Sequence, residues 1–149
     1  MGIKHAFTST KDDGDDSTLV KPSDWNADHT DVGQFVAGWD GGGSAITADT
    51  WVDVIAKDDC TITGWTMTAD QSGSAQVDIW KDTYANFPPT VADTITASAK
   101  PSLTAATKDT STTLTGWTTA VTAGDILRFY LDSASAVTRL LLVVAYTRP

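Results

Sequence analysis

The stretch from Cys60 to Ala69 (CTITGWTMTA) decides the fold class, because apolar and hydroxyl side chains alternate along it with a period of two. Such alternation places the apolar side chains on one face of a β-strand. Gly64 interrupts the pattern, which predicts a β-bulge. The alternation resumes from Ala75 to Ile79, after the polar run Asp70 to Ser74, which we interpret as a turn.

The rest of the chain carries the same signal. The six residues Thr61 to Thr66 (TITGWT) recur as Thr113 to Thr118 (TLTGWT), which predicts two equivalent strands with Trp65 and Trp117 in the core. Residues 100–111 are interpreted as a loop. Seven or eight short strands bounded by turns predict an all-β fold, a β-sandwich or jelly roll. Besides the segments above, the predicted strands are 51–56, 94–96, 112–117, 126–131 and 137–146.

Composition supports this prediction. The chain has 149 residues, and its 19 acidic residues are all Asp, while Thr and Ser number 25 and 11. Thr is favoured in strands, whereas Asp is disfavoured in both helices and strands and belongs mainly in turns. The net charge of −9 repels phosphate backbones, so we expect no nucleic-acid partner.

Residues 1–44 differ from the remainder. They contain an acidic run, scattered apolar residues and the glycine run Gly41 to Gly43, with no periodicity that would support a core. We therefore predict an extended N-terminal docking arm with a Gly-rich hinge (1–44), followed by a β-sandwich domain (45–149). The predicted anchors to a partner protein are Phe7, Leu19, Val20, Trp25, Phe35 and Val36.

The last predicted strand is apolar on both faces from Leu140 to Tyr146. Such a strand lies in the middle of a sheet with both faces buried in its own chain, or one of its faces contacts another subunit. The sequence leaves both interpretations open. The subunit interface would comprise Leu140, Leu142, Val144 and Tyr146. The stretch is too short to span a bilayer, and we expect no membrane partner.

No catalytic constellation is present in the sequence, and we expect a non-enzymatic protein without cofactor or metal. The two histidines, His5 and His29, both lie in the predicted arm, and no nucleophile motif accompanies them. The single cysteine, Cys60, is expected to be a small buried hydrophobe. The acidic run 12–16 lacks the ligand spacing of a calcium loop and is expected to be solvated.

Sugar binding is the strongest alternative that the residues offer, since exposed aromatic side chains on β-scaffolds can stack on sugar rings. Trp80 and Tyr84 border a loop stiffened by Pro88 and Pro89, and they are the candidate glycan-binding residues.

The segment Lys4 to His29, which contains the motifs KDDGD and TLVKPSDWNADH, resembles the N-terminal segment of many small bacteriophage virion proteins. The segment Trp80 to Thr90 (WKDTYANFPPT), together with the TGWT repeats, is similar to a β-rich domain of phage structural and tail-associated proteins. The resemblance implies a surface component of the virion, made in the host cytoplasm, which is either a head decoration protein or a tail fibre or appendage protein. It further implies a homotrimer, and contact with the major capsid protein or another virion protein. The chain lacks a coiled-coil or triple-helical shaft, which favours head decoration.

Overall fold

The structure, a computed structural model, describes residues 9–15, 17, 18, 21, 23 and 30–149. Within these residues the chain forms antiparallel strands and two single-turn 3₁₀ helices, Tyr84–Asn86 and Val91–Asp93, which confirms the all-β prediction. The strands are β1 (Asp31–Asp40), β2 (Thr50–Ile55), β3 (Cys60–Asp82), β4 (Ser102–Ser111), β5 (Ala120–Val121), β6 (Ile126–Ser135) and β7 (Arg139–Arg148).

The strands form one continuous sheet in the order β1-β7-β3-β6-β2. The first half of β3 pairs with β7, and its second half pairs with β6. On its other side β3 pairs with β4 and β5. The sheet curls so that the inner faces of both halves contribute to one hydrophobic cluster, in which Met67, Leu142 and Val144 come from one half and Ile79 and Phe129 from the other.

The predicted turn at Asp70 to Ser74 is wrong, because β3 runs through it without reversing direction. The pairing of β3 changes register between Thr68 and Gly73, and Ala136, between β6 and β7, has a φ of 70°. Bends and bulges of this kind let a strand pass from one layer to another. The polar run therefore marks a corner of the curled sheet.

Gly73 is required at this corner by the close approach of the β6–β7 connection. A Cβ on Gly73 would overlap the Ser135 carbonyl oxygen and lie 2.7 Å from Cγ1 of Val137. The predicted bulge at Gly64 is confirmed by a register shift between Ile62 and Gly64.

The internal repeat does not produce two equivalent strands. Thr61 to Thr66 lies in β3, but Thr113 to Thr118 forms a turn, and the neighbouring strand β4 occupies most of the predicted loop. β4 escaped prediction because it lies largely exposed beside β3 and so needs few apolar residues. Trp65 and Trp117 are nevertheless both buried, as predicted.

The sheet begins at Asp31, which differs from the predicted domain boundary at residue 45. β1 pairs with β7 along its whole length, and Phe35, Ala37 and Trp39 are buried in the core. The glycine run that follows is a tight turn, because Gly42 and Gly43 have positive φ and the Gly41 amide donates to the Thr138 carbonyl at 2.8 Å. Gly33 and Gly38 dilute the apolar alternation of β1, which is why the sequence pattern did not predict it.

Candidate functional site

The predicted docking residues fall into two groups. Phe7, Leu19, Val20 and Trp25 lie outside the described residues, as do His5 and His29. Phe35 and Val36 lie in β1 on opposite faces. Phe35 is buried, with its ring centroid 4.6 Å from that of Tyr146, so its side chain serves the core of its own domain. Val36 is 43% exposed on the outer face.

The acidic run of the N-terminal segment is exposed where the structure describes it, at residues 12–15. Asp13 accepts hydrogen bonds from the hydroxyl and the backbone amide of Ser23. These bonds, the hydroxyl's first, lower the pKa of the Asp13 carboxyl. Lys21 donates to the Gly14 carbonyl at 3.2 Å. The acidic run is thus bonded to residues seven and ten positions further along the chain.

The residues of the predicted subunit interface on β7 lie on the covered side of the sheet. Leu140, Leu142 and Val144 are buried in the core of the same chain, and Tyr146 packs beside them, so these side chains do not face outward. Because successive residues of a strand face opposite sides, the outer face of β7 carries Leu141, Val143 and Ala145. Of the two readings that the sequence left open, the structure favours the covered mid-sheet strand for these four residues.

The two candidate glycan-binding residues have different environments. Trp80, on β3, is partly buried and stacks on Tyr130 of β6, with ring centroids 4.4 Å apart. Tyr130 in turn stacks on Trp51 of β2, at 6.2 Å. Tyr84 is 75% exposed on the first 3₁₀ helix and lines a cavity that Trp80 does not reach. Trp80 is therefore the inner end of an aromatic row, and Trp51, which is 51% exposed, is its accessible end.

The structure adds Trp51, Asp53, Arg128 and Phe87 to this surface, none of which the sequence singled out as a site. Trp51, Asp53 and Ile55 share the outer face of β2, and Asp53 and Arg128 are directly opposite in the pairing of β2 with β6. The alternation in residues 51–55 was the available signal. It was ambiguous because apolar residues occupy both faces of this strand.

A polar cluster around Asp78 lies beneath the segment that follows the second 3₁₀ helix. Asp78 is 1% exposed, and it accepts hydrogen bonds from the hydroxyls of Thr94 and Thr96 at 2.6 and 2.7 Å. Lys100 Nζ lies 3.0 Å from Asp78 and 2.6 Å from Asp132. Burial alone would raise the pKa of Asp78, but the hydrogen bonds from Thr94, Thr96 and Lys100 outweigh it, and the pKa is lowered. The cluster is fully paired, which is typical of a structural role.

Other chemistry is limited within the described part of the chain. No group of three or more His, Cys, Asp or Glu side chains is arranged there to hold a metal ion. The helices described there are too short and too polar to cross a membrane. Cys60 is buried, as predicted, and burial raises the pKa of its thiol.

No protein-family model and no curated protein matches the chain. Among solved structures, the chain is similar to a chain of the cyanophage Pam1 capsid asymmetric unit, at 15% sequence identity and a TM-score of 0.31. The match covers 80% of this chain and 85% of that chain.

Proposed function

We propose that this chain is a non-enzymatic structural protein of a bacteriophage virion, which decorates the surface of the head. The N-terminal segment supports this proposal, because Lys4 to His29 resembles the segment that many small virion proteins share. The chain is made in the host cytoplasm and is then incorporated into the particle. Its partner is the major capsid protein or another virion protein.

An exposed apolar surface that begins shortly after this N-terminal segment in the sequence supports the proposal. We call it the β1–β7 outer face, and it comprises Val32, Val36, Leu141, Val143 and Ala145. Val32 and Val36 are 71% and 43% exposed and Leu141 is 41% exposed, while Val36 lies opposite Val143 in the strand pairing. Contiguous exposed apolar residues mark interaction surfaces. Val32, the first residue of this face, follows the N-terminal segment closely in the sequence, and we propose that segment and face engage one partner together.

Salt bridges connect the ends of the strands that form this face. Arg148, near the end of β7, pairs with Asp31 at the start of β1 and with Asp58 before β3, at 2.5 and 2.8 Å. Arg139 pairs with Asp40 at the opposite end of β1, at 3.1 Å. The exposed pairs contribute little stability individually, but they fix the ends of the edge strand that presents the face.

The test is reconstitution on particles that lack the protein. Purified full-length chain, a variant lacking residues 1–30, and the double variant Val32→Asp/Val36→Asp are each incubated with such particles. Bound copies are then counted by quantitative mass spectrometry. We expect hundreds of copies of the full-length chain per particle and strongly reduced binding of both variants. The truncated variant lacks the N-terminal segment, and in the double variant a buried unpaired charge opposes association.

The matched control is Val91→Asp, which places the same charge on a valine that is 65% exposed on the second 3₁₀ helix. We expect it to bind like the full-length chain. Full occupancy by the double variant would exclude the β1–β7 outer face as the contact. A copy number of only a few per particle would replace head decoration by the tail fibre or appendage alternative. Sedimentation of the free protein tests the homotrimer that the resemblance implies.

A further inference from the structure

An open cavity of about 480 Å³ lies between β2 and the turn formed by the first 3₁₀ helix. Its walls are the exposed side chains of Ile55, Tyr84 and Phe87, together with Asp53 and Ile126. Phe87 is 50% exposed and Tyr84 is 75% exposed. Ligand sites are usually concave, largely apolar and aromatic, with a few polar groups, and this cavity has that composition.

The turn that carries Tyr84 and Phe87 is held in place by its own hydrogen bonds. Asp82 accepts bonds from the Thr83 amide and the Asn86 side chain, at 2.7 and 3.1 Å. The Phe87 amide donates to the Tyr84 carbonyl at 3.3 Å. The two rings are therefore presented on a fixed scaffold, which reduces the ordering cost of binding.

Arg128 links this cavity to the aromatic row on the outer face of the sheet. Its guanidinium carbon lies 4.8 Å from the centroid of the Trp51 ring and 5.7 Å from that of the Phe87 ring. The same guanidinium donates two hydrogen bonds to the Asp53 carboxylate, at 2.8 and 2.7 Å. Arg128 thus lies against both rings and is held by the one carboxylate that lines the cavity.

We propose that this cavity, with the Trp51 ring beside it, binds a neutral saccharide. The apolar faces of sugar rings would pack on Phe87, Tyr84 and Trp51, while sugar hydroxyls would donate to the free lone pairs of Asp53. The inference goes beyond the virion role and does not depend on it.

Charge selects the neutral class of ligand. The guanidinium of Arg128 is already paired with the Asp53 carboxylate, so its positive charge is neutralised and does not attract an anionic sugar. The net charge of −9 further disfavours acidic glycans and nucleic acids.

The test is affinity electrophoresis of the full chain in native gels that contain a soluble polysaccharide. The neutral probes are a β-glucan, an α-glucan and a mannan, and the acidic probes are alginate and dextran sulfate. We expect retardation by at least one neutral probe and by neither acidic one. For that probe, Phe87→Ala and Trp51→Ala should each weaken binding about tenfold, which is equivalent to roughly 1.4 kcal/mol.

Val91→Ala is the matched control, because Val91 is an exposed apolar residue that does not line the cavity. It should bind like the unmodified chain, and circular dichroism verifies that each variant is folded. The proposal is overturned if no neutral probe retards the protein, if only acidic probes do, or if Phe87→Ala and Trp51→Ala both bind unchanged. Concentration-dependent self-association at this surface, abolished by the same variants, would assign the cavity to a second copy of the chain instead.

Discussion

The carboxylate of Asp70, in the bend of β3, accepts hydrogen bonds from both the hydroxyl and the backbone amide of Thr138, at the corner where β6 passes into β7. The Arg139 amide donates to the same carboxylate at 2.8 Å. One side chain thus joins the two bent segments that form the corner of the curled sheet. The corner, in turn, places the β1–β7 outer face and the aromatic cavity on different halves of one domain.

We predict that Asp70→Asn changes the acid sensitivity of folding. The hydrogen bonds from Thr138 and then Arg139 lower the pKa of Asp70 to about 2, whereas the pKa of an Asp carboxyl in an unfolded chain is about 3.9. A depressed pKa contributes stability that is fully present above the unfolded value and is lost as the pH falls from about 4 to about 2. Urea titrations across this range should show that the difference in free energy of unfolding between wild type and variant shrinks as the pH falls.

The control for this pH dependence is Asp109→Asn, since Asp109 accepts a local hydrogen bond from the adjacent Thr110 amide. A difference between wild type and Asp70→Asn that stays constant from pH 5 to pH 2 would contradict the role of the Asp70 charge.

We predict that Gly73→Ala destabilises the domain by about 2 kcal/mol, because the new methyl group overlaps the Ser135 carbonyl and the Val137 side chain. Gly38→Ala is the matched change on a strand. A Cβ there meets its nearest atoms, in Leu140 and Leu141, at 3.7 and 3.8 Å, which is ordinary contact. Equilibrium denaturation should show a loss for the first variant and little change for the second. Equal stability of the two would mean that the corner relaxes freely.

We predict that Phe35→Ala lowers the free energy of unfolding by about 3–5 kcal/mol, whereas Val36→Ala changes it by no more than about 0.5 kcal/mol. The two residues are neighbours in β1, but the first lies in the core and the second on the outer face. Chemical denaturation measures both. A small effect of Phe35→Ala would place β1 outside the cooperative unit.

We predict that removal of residues 1–30 leaves a cooperatively folding domain, and that removal of residues 1–40 does not. The longer deletion takes away β1, its pairing with β7, and the buried side chains Phe35, Ala37 and Trp39. Thermal unfolding followed by circular dichroism distinguishes the two truncations. A sharp transition for the longer truncation would support the boundary at residue 45 that the sequence predicted.

We predict that Lys100→Met destabilises the protein by about 3 kcal/mol, because it leaves the buried carboxylate of Asp78 without its cation. Lys108→Met, on an exposed position of β4, is the control and should be nearly neutral. Denaturant titration measures the two variants. If they match, the hydroxyls of Thr94 and Thr96 are sufficient to hold the Asp78 charge.

Much of the fold was predictable because alternation is a local property. The strands predicted at 51–56, 126–131 and 137–146 correspond to β2, β6 and β7, and the bulge at Gly64 was predicted from the glycine that interrupts the alternation. β4 was missed because an exposed strand that pairs along one side needs few apolar residues, and β1 was missed because its glycines interrupt the pattern. The repeated TGWT motif predicted the burial of both tryptophans but not the backbone conformation of the second copy. Gly116 has a φ of 78°, so the second copy forms a turn and not a strand.

The sequence by itself determined that this protein is all-β and acidic, and that the side chains of Cys60, Trp65 and Trp117 are buried. Composition and period-two alternation can both be read from the sequence without knowing which strands pair. The tertiary structure alone decided which face of β7 is covered, that Asp70 to Ser74 is a corner, and that Trp51, Arg128 and Phe87 meet around Asp53. Those outcomes depend on pairing between segments far apart in the chain. Such pairing is set by the register of the strands and by the packing of one core, which no local pattern contains.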